Sequence, residues 1–239
     1  MNLEKLGSDQ IKTHKKGKYL NLALYAFGGL GLEVVIMMIE GMLYGTTNYR
    51  EWGISGTLIH WSITCIVWGS MSYLLYQEAY KDGFDLLKYK EKPTIRALAL
   101  VFLFMCICLI ISYISWGGQL KFIGEFSSKM STYGQMGWIA YIFQYIYYLF
   151  ETVLVLLIIA FGQHYGELTF KLKSKWSSII PWGGIICGIS WGIVHLLTKG
   201  SLSTGLVAAF CSVLYGMTYV LVKKNVSYAY PIITLMFIL

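Results

Sequence analysis

Seven apolar stretches dominate this chain, roughly Tyr19–Tyr44, Trp52–Tyr76, Ile95–Gly117, Met136–Phe161, Ile179–Leu197, Ser203–Val222 and Tyr228–Leu239. In hydrocarbon no water meets the backbone N–H and C=O groups, so stretches of this kind are stable only as helices or closed barrels. About 20 apolar residues, at 1.5 Å of rise each, cross a bilayer core. The reading is therefore all-α: a multi-pass bundle of about seven transmembrane helices, the last of them short. Hydrophobic residues make up 56% of the 239 and charged ones 13%, and the connecting segments, roughly 6–18 residues long, leave no room for an extramembrane domain. Residues 1–18 read as a basic cytoplasmic tail and 19–239 as one transmembrane helical domain. The tail is followed by an apolar run too long for a signal-peptide core, with no small-residue cleavage pattern, so no cleavage is expected.

Lysine and arginine fix the expected orientation. The tail holds Lys5, Lys12, Lys15, Lys16 and Lys18, the second connection Lys81, Lys88, Lys90, Lys92 and Arg96, the fourth Lys171, Lys173 and Lys175, and the sixth Lys223 and Lys224. The alternate connections hold only Arg50, Lys121, Lys129 and Lys199. By the positive-inside rule the N-terminus faces the cytoplasm of a cell-membrane protein. The net charge of +7 is thus an orientation signal with some attraction to anionic membrane lipids. A nucleic-acid partner is not expected, because no basic soluble domain exists to hold one. The five cysteines, Cys65, Cys106, Cys108, Cys187 and Cys211, all fall in apolar stretches and read as small buried hydrophobes.

Ionisable groups at membrane depth cost several kcal/mol and are normally turned inward, paired or used. Glu33 and Glu40 are seven apart and share a helix face, Thr57, His60 and Thr64 form a stripe on the second stretch, and Gln144, Tyr148 and Glu151 form another on the fourth. His195 lies in the fifth. Each alone is explained by an interhelical hydrogen bond. Together they point to an interior polar cavity lined by Glu151, His195, Glu33, His60, Gln144, Tyr148 and Glu167.

Gly184, Gly188 and Gly192 repeat every four residues on the fifth stretch, and Ala208, Ser212 and Gly216 repeat the device on the sixth. Small-residue ridges let helix backbones approach closely, so these two helices are expected to form a tight pair, with His195 one turn beyond Gly192.

Three segments then carry a resemblance. Gly166-Glu167-Leu168-Thr169-Phe170-Lys171 resembles a Glu-Glu-x-x-Phe-Arg motif, Trp191-Gly-Ile-Val-His195 a Phe-x-x-x-His motif, and Pro231 to Leu239 the last helix bearing His-x-x-x-Asn. In that order they resemble the CAAX-protease and bacteriocin-processing (CPBP) family of intramembrane proteases, over a core of about 136–239. The resemblance implies that Glu167 and His195 stand where catalytic groups stand. It also implies peptide hydrolysis by activated water, on zinc if a metal is used. Gly166, Leu235 and Leu239 replace the first Glu, a His and the Asn. These replacements make the expected protein a non-catalytic relative with no metal and no cofactor, which binds a hydrophobic or prenylated peptide or a lipid-like ligand in bacteriocin self-immunity or membrane-protein handling. Two alternatives stand beside it: an active CAAX-type endopeptidase with a rearranged site, and a small-solute or proton-coupled transporter. Spacing leaves open whether Glu151 or Glu167 partners His195. His164, three residues before Glu167, is either a second imidazole or a rim residue solvated by headgroups.

Overall fold

The computed structural model describes residues 3–88, 91–170 and 179–239, with side chains from residue 17 onward except at 50 and 197–199. Lys90, Lys171, Lys173 and Lys175, and the side chains of Lys5, Lys12, Lys15, Lys16, Arg50 and Lys199, on which much of the charge bias rests, lie outside the described residues. The described chain is helical, with no strand among the described residues. Its helices are α1 (Leu3–Tyr44), α2 (Gly53–Lys81), α3 (Ile95–Ser115), α4 (Lys121–Tyr133), α5 (Gly137–Thr169), α6 (Trp182–Lys199), α7 (Leu202–Leu221) and α8 (Val226–Ile238).

Five stretches are long and apolar enough to cross a membrane: Gly17–Tyr44, Gly53–Lys81, Ile95–Ser115, one within Lys121–Thr169, and Leu202–Leu221. Trp182–Leu196, the part of α6 whose side chains are described, and Val226–Ile238 are also apolar but shorter. The boundaries have local causes. Gly200, with φ of 62°, ends α6 in the left-handed conformation that glycine tolerates best. Asn225 caps α8 by accepting a hydrogen bond from Ser227 N at 3.1 Å, and Ser201 caps α7 in the same way through Thr204 N.

α5 is the axis of the bundle. Leu154 through Phe161 are buried without interruption, the pattern of a helix that is apolar all round because other helices surround it. It packs against α1, α2, α4, α6, α7 and α8. α3 is peripheral. Only Val101 and Cys108 on it are buried, while Phe102, Leu103, Ile110 and Ile114 are exposed, as expected of a helix turned toward lipid.

α1 and α2 form an antiparallel hairpin pinned at its middle, where Trp68 Nε1 donates to Gly29 O at 2.9 Å. α6 and α7 form the closest pair. A Cβ added to Gly184 would stand 2.9 Å from Gly216 Cα, one on Gly188 would stand 2.9 Å from Ala209 O, and one on Gly192 would stand 3.0 Å from Gly205 O. The facing surface on α7 is therefore Gly205, Ala209, Ser212 and Gly216: Ser212 and Gly216 lie at the contact as expected, and Ala209 takes the place of Ala208.

One element departs from the sequence reading. The connection before α5, expected to be an irregular loop, contains α4, an amphipathic helix that buries Gly124 and Glu125 and leaves Ile123 and Phe126 exposed. Hydropathy alone passes over a 13-residue helix whose inward side is polar.

Candidate functional site

The two polar stripes on α1 and α2 meet face to face. His60 is fully buried, its Nδ1 lies 2.6 Å from Glu40 Oε2, and its Nε2 lies 3.6 Å from Glu33 Oε1. Tyr147 of α5 donates to the same Glu33 oxygen at 2.8 Å. The Tyr49 ring stacks on the imidazole at 5.1 Å and Trp52 meets it edge-on at 5.7 Å. At the mouth of the hairpin Thr57 Oγ1 bonds Tyr49 O, Gly53 O and Tyr133 OH. Glu40 Oε1 and Thr64 Oγ1 are buried and have no hydrogen-bond partner among the described residues.

Tyr148, one residue on and therefore turned about 100° round the helix, serves a second cluster. Gln144 Nε2 donates to Tyr148 OH at 2.6 Å, and Tyr148 OH donates to Glu125 Oε1 of α4 at 2.6 Å. Lys121 lies close enough to both Glu125 and Glu151 to interact with each. It donates to Phe237 O at the end of α8 at 2.8 Å and sits 5.0 Å from the centre of the Tyr148 ring. A single ammonium thus faces two buried carboxylates, which lowers the cost of holding them away from water. Glu125, Lys121 and Tyr147 were not singled out in the sequence. The i, i+4 spacing of Lys121 and Glu125 was the available signal, and it was masked by the reading of that segment as a loop.

At the opposite end of the bundle a cavity of about 530 Å³ opens between α5, the end of α7 and the segment after α2. Phe84, Ala160, Tyr219 and Val220 form its apolar wall, and His164, Glu167, Lys223 and Lys224 its polar one. Glu167 receives Lys224 Nζ at 2.6 Å and Gln163 Nε2 at 2.8 Å. Gln163 is fully buried and fully used. Its amide also donates to Ile180 O at 3.0 Å and accepts from Gly183 N at 3.2 Å, fastening the start of α6 to α5. Lys223 pairs with Glu91, and this exposed pair draws the Glu91 carboxyl below its ordinary range. The half-buried His164 ring is held between Tyr19 at 4.3 Å and Phe84 at 4.4 Å.

The residues expected to share one cavity are thus dispersed through the bundle. Glu33 and His60 are together, Gln144 and Tyr148 are together near Glu125, and Glu167 alone among them lines the open cavity. His195 contacts Trp191, with Nδ1 3.1 Å from its carbonyl and ring centres 4.7 Å apart. Gly162 faces Gly183, and Gly166 faces Trp182. Counting twelve residues on from Gly183 and twelve back from Gly162 sets His195 level with residue 150. Glu151 is therefore the carboxylate at the depth of His195, and Glu167 lies about 25 Å away along the helix axis. A Cβ on Gly166 would run into the Trp182 ring, so no carboxylate fits where the resembling motif has its first Glu. Leu235 is 49% exposed and turns outward, so a His at that position would not face the bundle. Among the described residues no three His, Cys, Asp or Glu side chains converge as metal ligands. No family model, no curated protein and no solved structure matches the chain.

Proposed function

We propose that this chain is an integral membrane protein, a non-catalytic relative of the CPBP proteases, that holds an amphiphilic ligand, a lipid-like molecule or a hydrophobic peptide, in the cavity beside Glu167. The observation that carries the reading is that cavity, one wall of which is aromatic and aliphatic and the other charged. A site of this size with few polar groups on an apolar lining is typical of small-molecule binding. Catalysis has less support. Glu167 is committed to Lys224 and Gln163, and His195 lies a bundle's depth away. The charge bias supports a cytoplasmic rim for the cavity.

Native mass spectrometry of protein purified in mild detergent tests this. Wild type should retain a co-purified amphiphile, and Val220→Trp, which fills the cavity from a half-buried position, should lose it at unchanged melting temperature. Equal retention by both proteins overturns the reading.

One observation favours a second reading, proton-coupled transport: the fully buried His60 between Glu33 and Glu40, with Tyr147 behind. Buried ionisable chains of this kind serve as proton relays in membrane proteins. Proteoliposomes carrying a pH-sensitive dye would show His60-dependent proton uptake if it holds.

A further inference from the structure

Lys223 and Lys224 end α7 with φ of 58° each, and they are the described non-glycine residues with positive φ. An L-residue in the left-handed region is strained, because its Cβ crowds the following carbonyl oxygen, and helix ends that need this conformation normally use glycine or asparagine. The backbone here does terminate a helix, since Lys223 N donates to Val220 O at 3.0 Å and Lys224 N to Tyr219 O at 2.8 Å. Glycine would make the same bonds without strain, so what the two lysines add is their ammonium groups. Both line the cavity.

Their present partners differ. Lys224 is tied to Glu167, both side chains being mostly buried, whereas Lys223 pairs with a Glu91 that is 81% exposed. An exposed pair is weak because water screens it, so Lys223 can leave Glu91 for a better anion at little cost. Glu167 balances Lys224, so among the described residues Lys223 is an exchangeable positive charge above an apolar floor of Ala160, Tyr219 and Val220.

Resting on the ligand-binding reading above, we propose that the cavity recognises a phosphate group carried by an amphiphile, with Lys223 as the residue that binds the phosphate and Lys224 held by Glu167 as its positive neighbour. The lysines stand at the membrane rim, where a lipid phosphate lies, and the aliphatic wall accepts the start of an acyl chain.

The test titrates delipidated protein in detergent with phosphatidic acid, with diacylglycerol of the same chains, and with inorganic phosphate as competitor, read by native mass spectrometry. Wild type should bind phosphatidic acid about tenfold tighter than diacylglycerol, the size of one or two charge-assisted contacts. Lys223→Gly should reduce that preference to about threefold or less and, by removing the strained backbone, raise the melting temperature. A lysine with a purely structural role would show the higher melting temperature but an unchanged preference for phosphatidic acid. Failure of millimolar inorganic phosphate to displace phosphatidic acid assigns the site to a lipid, and full displacement assigns it to a soluble phosphate. Equal affinity for the two lipids, both weakened by Val220→Trp, overturns the phosphate assignment and leaves the amphiphile reading intact. Binding that ignores Val220→Trp overturns both.

Discussion

His60 Nδ1 lies 2.6 Å from Glu40 Oε2 in a position closed to solvent, a buried contact that joins α2 to α1. Breaking a buried pair by removing one partner typically costs about 3–5 kcal/mol, because the other charge stays behind. His60→Ala is expected to cost that much in denaturant unfolding in detergent. Glu33→Gln should cost clearly less, since the Glu33 side chain is 25% exposed. Replacing His60 and Glu40 together by Leu should recover most of the loss. Equal effects of His60→Ala and Glu33→Gln would show that the cluster does not hold the hairpin.

This meeting of stripes was half legible in the sequence. Glu33 with Glu40, and Thr57 with His60 and Thr64, could each be placed on one helix face from their spacing. That the two faces oppose each other depends on the register set by Trp68 and Gly29, which is a tertiary fact. α4 was hidden because a search for some 20 apolar residues passes over a shorter helix with a polar inner side. The cavity was hidden for a different reason. Lys223 and Lys224 read as orientation charges, and nothing local announces that Lys224 reaches Glu167, 57 residues earlier.

The α6–α7 contact gives a sharper stability test. Gly188→Leu should lower the melting temperature far more than Ile110→Ala on the lipid-facing side of α3, because its side chain would have to displace the Ala209 backbone. Similar melting temperatures would mean that the helices separate without penalty.

Orientation can be read by cysteine labelling. Cysteines introduced at Lys15 and Lys90 should react with an impermeant reagent only after the cells are permeabilised, and one at Lys129 should react in intact cells. Labelling of position 90 from outside would invert the bundle and move the cavity to the external rim.

Metal content separates the binder from the protease. Purified protein should carry less than about a tenth of an equivalent of zinc, because a stable catalytic site needs three protein ligands, and it should leave prenylated CAAX peptides uncut. Stoichiometric zinc, with cleavage abolished by His195→Ala, would establish the enzyme instead.

The glycine face of α6 has a consequence for how the protein is made. α6 runs 18 residues, Trp182–Lys199, about 27 Å at 1.5 Å each and close to the roughly 30 Å of a bilayer core, but Gly183, Gly184, Gly188 and Gly192 in place of larger side chains weaken its hold on lipid. Pairing with α7 covers that face, so α6 is expected to settle in the membrane together with α7, as one hairpin.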